Sequence, residues 1–293
     1  MPVFDRRYRG YAGPRVSGAG VRTVARYALA EAFRSRLALV LLVAAALVPL
    51  GFGGFVYVAN NLDVLTAVGF KMDSDLPMVG KPLFFWFLVW QSGFAFLLAA
   101  FVGPTLVSKD LVHQAIPLYL ARPLSRGEYV LGKLAALLVP LSAVTWVPGL
   151  LLVGLQASLA ESGWLAANLR VPWAIFVGSW VWILLLALLA LALSAWIRWR
   201  PVATGMLFGI FVIGEATGRA IQAVLDTRWG LLLAFDDMVE TIWADLFGGV
   251  SFLGRNVIDD PLPVAACWAS LALLAVFALF VLDRKVRAVE VSR

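Results

Sequence analysis

Six stretches of this chain are too long and too apolar to be solvated by water. They fall at residues 37–59, 83–107, 129–156, 171–197, 202–225 and 262–282. Each exceeds the roughly 18 residues that carry a helix across about 30 Å of hydrocarbon. Composition agrees: 62% of the 293 residues are hydrophobic and 14% charged, against about 45–50% and about 25% in a soluble domain. A water-soluble enzyme is excluded, and the pattern predicts an all-α polytopic membrane protein with six transmembrane helices. The third run carries Lys133 within its first turns, where a long side chain can snorkel to the interface. The fifth is uncharged only over 202–214, after which Glu215 and Arg219 stand four residues apart on one helical face.

Sorting the charges into alternate polar segments gives the orientation. Residues 1–36, 108–133, 198–200 and 283–293 hold 18 Lys and Arg against 6 Asp and Glu, and the complementary segments hold 6 against 12. Because Lys and Arg resist translocation, the basic set is expected in the cytoplasm together with both termini. A pI near 9.8 then reports membrane topology, and no nucleic-acid partner is expected. The organisation predicted is a cytoplasmic N-terminal segment, 1–36, a transmembrane domain, 37–282, and a cytoplasmic tail, 283–293.

Three polar pieces have structure of their own. Over 21–33 the apolar residues Val21, Val24, Ala25, Ala28, Leu29, Ala32 and Phe33 share one helical face, with Arg22, Arg26, Glu31 and Arg34 opposite. That pattern predicts an amphipathic helix lying in the cytoplasmic interface on anionic lipid. In the segment 108–128, Pro123 ends any helix, and Ser125 with Glu128 makes a capping box that starts the third span. Leu111, Val112, Ile116, Leu118 and Leu120 among Lys109, Asp110, His113 and Arg122 mark this loop as a protein interface. Over 215–261, Val239, Ile242, Trp243, Leu246, Phe247 and Val250 repeat at helical spacing, with Asp237 and Glu240 as cap and capping-box partner. This extracytoplasmic segment is expected to be helical and packed on the bundle.

Several chemistries lack their parts. The one histidine, His113, lies outside the apolar runs, so a haem b held at membrane depth has no histidine ligand. No HExxH, GxSxG or intramembrane aspartate pair is present. A GxxxxGK[ST] phosphate loop is also missing, so ATP is not bound in that manner. One cysteine, Cys267, cannot form an internal disulfide or a thiolate cluster. The chain is not expected to be an enzyme by itself, nor to bind a cofactor or metal. Glu215 is the one ionisable side chain well inside a span that a self-powered carrier would need, and pairing with Arg219 is its simpler role. Gln91 and Ser92 are the polar residues of the second span that suit a translocation path.

The run Leu120-Ala-Arg-Pro-Leu-Ser-Arg-Gly-Glu-Tyr-Val-Leu-Gly-Lys133 resembles the L-x-R-P-[VL]-S-R-x-x-[YF]-x-L-G-K run of ABC transporter permeases of the ABC-2 type. An acidic residue upstream, Asp110, also fits, while Gln114-Ala115 replaces the family's Gly-Thr pair. The six-span plan with an N-terminal interfacial helix resembles the same family. The resemblance implies a bacterial inner-membrane exporter subunit that pairs with a second copy or a homologue over two cytoplasmic ABC ATPase subunits. ATP and Mg would be bound by those partners. It also makes Arg22, Arg26, Lys109, Asp110, His113, Gln114, Arg122 and Arg126 candidate ATPase-coupling residues. Membrane lipid and an extracytoplasmic protein are further candidate partners. A non-transporting membrane anchor and a stand-alone carrier or channel are the alternative functions.

Overall fold

A computed structural model describes residues 19–61, 79–113, 125–197, 199–252, 255–256 and 262–285. Six helical stretches in it are long and apolar enough to cross a membrane. They are α2 (Arg36–Asn60), α3 (Lys81–Val112), the pair α4 (Arg126–Val144) and α5 (Trp146–Leu159), α7 (Arg170–Trp196), α8 (Arg200–Leu225) and α10 (Val264–Lys285). Shorter elements are α1 (Ala19–Ala32), α6 (Trp164–Ala167), a 3-10 turn (Arg228–Leu233) and α9 (Phe235–Leu246). Ser251–Phe252 and Arg255–Asn256 form a two-residue antiparallel ladder. All six expected spans are helical, and α8 is the least apolar, with a mean hydropathy of 1.3.

The most buried span is α7, which packs on α3, α4, α5, α8, α9 and α10. Small residues permit the closest approach: a Cβ on Gly103 of α3 would lie 2.5 Å from the Cβ of Ala190. Prolines organise the other contacts. Pro49 has no N–H to give Ala45, four residues back, and the Ala45 carbonyl instead accepts from Gln91 Nε2 of α3 at 3.1 Å. Pro104 likewise frees the Ala100 carbonyl, which accepts from Thr204 Oγ1 of α8 at 3.0 Å. At Pro49 and Pro104 the freed carbonyl thus becomes an interhelical hydrogen bond, as low-dielectric surroundings favour.

The third span departs from the single run expected over 129–156. It breaks at Thr145 (φ −98°, ψ −92°), because Pro148 cannot bond the Val144 carbonyl and its ring crowds it. Its start follows expectation: Ser125 Oγ accepts from the Glu128 N–H at 3.2 Å, and Glu128 Oε2 accepts from the Ser125 N–H at 2.7 Å. At its other end α3 runs on through Ser108, Lys109 and Asp110, so the segment expected to open the loop is continuous helix.

Helix α1 is amphipathic as expected, and part of its apolar stripe packs on protein while Phe33 stays exposed. Val24, Ala28 and Ala32 are buried, and α1 lies chiefly along α4. The seam depends on Gly132, where a Cβ would sit 2.7 Å from Val24 Cβ and 3.1 Å from the Val21 carbonyl oxygen. Gly132→Val is expected to cost about 1–3 kcal/mol by overpacking. Val24→Gly, which removes the Cβ that the new side chain meets, should show favourable coupling with Gly132→Val in a double-mutant cycle of thermal melts in detergent.

Beyond α8 the chain folds back. Asp226 (φ 48°) ends the helix, and the 3-10 turn returns against α8 at two glycines. A Cβ on Gly218 would meet the Gly230 carbonyl oxygen at 2.8 Å, and one on Gly214 would collide with that of Leu233. The return places α9 beside Glu215. Asp237 does not cap α9: the helix starts two residues earlier, at Phe235, with Ala234 at the N-cap and no side-chain cap. The turn's closing bond from the Ala234 N–H to Leu231 O and Phe235 against Phe211, with ring centroids 5.5 Å apart, set that start. Met238, Val239, Ile242 and Trp243 are buried. Trp243 Nε1 donates to Gly178 O of α7 at 2.9 Å. Arg170 ties down the far end of α9, donating to the Asp245 and Leu246 carbonyls at 2.7 Å each.

Candidate functional site

Two charged sites sit at opposite ends of the bundle. At the α1 end, Asp110 on the last turn of α3 meets the first turns of α4. Its Oδ2 is 2.8 Å from Lys133 Nζ and accepts from the Tyr129 hydroxyl at 2.6 Å. The Asp110 and Lys133 side chains are 15% and 5% exposed, and the Lys133 ammonium lies 5.6 Å from the Tyr129 ring centroid. Lys133 therefore pairs inside the protein, with its side chain 5% exposed, and does not snorkel. One residue before Asp110, Lys109 Nζ reaches Glu31 Oε1 of α1 at 2.5 Å. That bond holds the Glu31 carboxyl below the usual range. Helices α1, α3 and α4 are joined by these two ion pairs.

The candidate coupling residues divide accordingly. Arg22 and Arg26 on α1, His113 just past α3 and Arg126 at the start of α4 are exposed. Lys109 and Asp110 are engaged within the protein, and Gln114 and Arg122 lie outside the described residues. Glu31 and Tyr129 belong to the site without having been singled out from sequence. The available signal was one acid and one base bordering apolar runs, Asp110 and Lys133, with Tyr129 one turn before the lysine.

At the other end, Glu215 Oε1 and Arg219 Nη2 pair at 2.9 Å as the i, i+4 spacing predicts, and Arg219 also approaches Asp237 Oδ1 at 3.9 Å. Both residues lie on the rim of a cavity of about 510 Å³ between α3, α7, α8 and α9. Its wall includes Ser92, Phe96, Trp182, Phe208 and Phe211, and Asp236, Asp237 and Glu240 complete the rim. Ser92 is thus brought to the Glu215–Arg219 pair. Gln91, the other path candidate, is fully buried and serves the Ala45 carbonyl. Burial, then the neighbouring Glu215 and Asp237 carboxylates, push Asp236 up to about 6 against the pull of Arg219. Glu240 rises to about 7 through burial and its neighbours Asp237 and Asp236, and burial also raises Asp237.

The Glu215 and Arg219 side chains are 41% and 62% exposed, so solvent screens their attraction. Glu215→Gln is expected to lower stability by less than about 1 kcal/mol. The double variant Glu215→Gln/Arg219→Met should lie close to wild type in the same melts.

These sites belong to a helical, multi-pass membrane protein. The chain matches no protein-family profile and no curated protein.

Proposed function

We propose that this chain is the membrane subunit of an ATP-driven exporter of the ABC-2 type, working with separate cytoplasmic ATPases and a second permease copy or homologue. The observation that carries the reading is the clamp of Glu31–Lys109 and Asp110–Lys133–Tyr129, which joins α1, α3 and α4. Tyr129 and Lys133 belong to the run 120–133 on which the resemblance rests, in a segment that the charge asymmetry assigns to the cytoplasm. Three helices tied at one point move as a unit when a partner presses there, which conversion of ATPase closure into rearrangement of the bundle requires. In this reading Arg22, Arg26, His113 and Arg126 meet the ATPase, while Lys109 and Asp110 transmit the displacement.

Purified from its own host in mild detergent, the chain is expected to bring down an ABC ATPase in stoichiometric amount. Reversing Arg22 and Arg26 to Glu should weaken that association at least tenfold without lowering the melting temperature. Orientation is checked in a Cys267→Ala chain, where a cysteine at Tyr27 should label only from the cytoplasmic side and one at Glu161 only from outside. The carboxylates beside the cavity favour a second reading, a proton-coupled carrier. Uptake driven by a pH gradient in vesicles holding this chain alone would establish that reading and overturn the first.

A further inference from the structure

Three features of the cavity between α3, α7, α8 and α9 bear on what enters it. The first is depth. Phe96 lies 15 residues into α3 and Trp182 lies 12 into α7, so at 1.5 Å per residue the wall reaches roughly 18–22 Å along those helices. That is well inside about 30 Å of hydrocarbon. The second is the wall itself, where Phe96 stacks edge-on with Phe208 and Phe211 at 4.9 Å each, and Trp182 meets Phe211 at 5.7 Å. An aromatic surface of this kind offers apolar area together with the negative faces of its rings. The third is the rim, whose described residues place four carboxylates, Glu215, Asp236, Asp237 and Glu240, around one guanidinium, Arg219.

The scaffold prevents the rim from relieving its own repulsion. The 3-10 turn is locked to α8 at Gly214 and Gly218, and α9 is pinned to α7 through Trp243 and Arg170. Among the described lining residues carboxylates thus outnumber cations, an imbalance that protons or a bound cation would offset. Among the described residues, no group of Asp, Glu, His and Cys converges as the ligands of a metal ion would. A cation with an apolar body matches the aromatic wall and the acidic rim together. Volume agrees, since about 510 Å³ falls within the roughly 300–1,000 Å³ of small-molecule sites.

We infer that this cavity binds amphiphilic organic cations, with the apolar body against Phe96, Phe208, Phe211 and Trp182 and the positive centre held by the Asp236, Asp237 and Glu240 rim. The inference deepens the exporter reading by naming its substrate class, and it is tested on this chain alone. A negative binding result therefore leaves the ATPase pairing untouched, and a failed co-purification leaves the site untouched. Protons compete for the same carboxylates, since burial already raises Asp236 to about 6 and Glu240 to about 7.

The probe is tetraphenylphosphonium, measured by equilibrium dialysis against the full chain in nanodiscs of neutral phosphatidylcholine. Saturable binding of one cation per chain is expected, at least tenfold weaker in Asp236→Asn/Glu240→Gln and in Phe208→Ala, and weaker at pH 5.5 than at pH 8. Tetraphenylborate, of the same shape and opposite charge, should not compete. A circular-dichroism melt of each variant confirms its fold, and Val276→Ala on the exposed face of α10 serves as a control expected to bind normally. Non-saturable uptake, equal affinity in the carboxylate variant, or equal competition by the anion would each overturn the inference.

Discussion

Replacing Asp110 with alanine is expected to destabilise the protein by about 3–5 kcal/mol, because it strands the Lys133 ammonium in a site that is 5% exposed. The Tyr129 hydroxyl loses its acceptor in the same step. Replacing both charges by apolar groups, in Asp110→Leu/Lys133→Met, removes the need for compensation and should recover most of the loss. Lys109→Ala, which breaks only the half-exposed pair with Glu31, should cost less than about 1 kcal/mol. Thermal and chemical melts in detergent order the three variants. An unchanged melt for Asp110→Ala would mean that Lys133 finds lipid headgroups when released and that the pair is not a clamp. If the chain works with an ATPase as proposed, Asp110→Ala is also expected to reduce turnover of that complex at temperatures where the protein stays folded.

Stability is expected to fall as pH rises from 5 to 8, most steeply below about pH 6, where both folded carboxyls keep protons that the unfolded chain has lost, and to level off above about pH 7. In the folded chain Asp236 titrates at about 6 and Glu240 at about 7, whereas unfolded carboxylates titrate at about 3.9 and 4.3. Between the two values the folded state keeps protons that the unfolded state has lost, so the stabilisation is complete below about pH 4. It is lost as pH climbs through the folded values. Taken alone, each shift corresponds to about 3 kcal/mol. The groups repel one another, so their joint contribution is less than the sum. Asp236→Asn/Glu240→Gln should flatten the profile and melt higher than wild type at pH 8. A profile that rises with pH through this window would show that the two carboxyls are ionised and paired, contrary to their burial beside α8.

Much of the architecture was legible without coordinates because it rests on contiguous signals. Hydropathy runs marked the six spans, Ser125 and Glu128 announced the start of α4 within four residues, and Glu215 with Arg219 announced a pair one turn apart. Misreadings arose where a partner distant in sequence intervened. The stripe on α1 reads the same for lipid or protein, and Gly132 on α4 is what lets Val24 pack on protein. Lys133 has no counter-ion within its own span, and its partner Asp110 comes from the extension of α3 past the apolar run. Pro148 splits the third span although the surrounding residues stay uniformly apolar.

Order along the chain was enough to establish that the protein is helical, that six helices are long and apolar enough to cross a membrane, and that basic residues gather in alternate connecting segments. Those properties follow from segments of about 20 residues meeting solvent or lipid one at a time. Packing in three dimensions was needed to show that Gln91 answers the carbonyl freed by Pro49 and Thr204 the one freed by Pro104. The same holds for Ser92, Glu215 and Asp236, which share one cavity although they come from three helices. Buried polar groups must find partners wherever the fold supplies them, and close helix packing, not chain proximity, determines which residue is near enough.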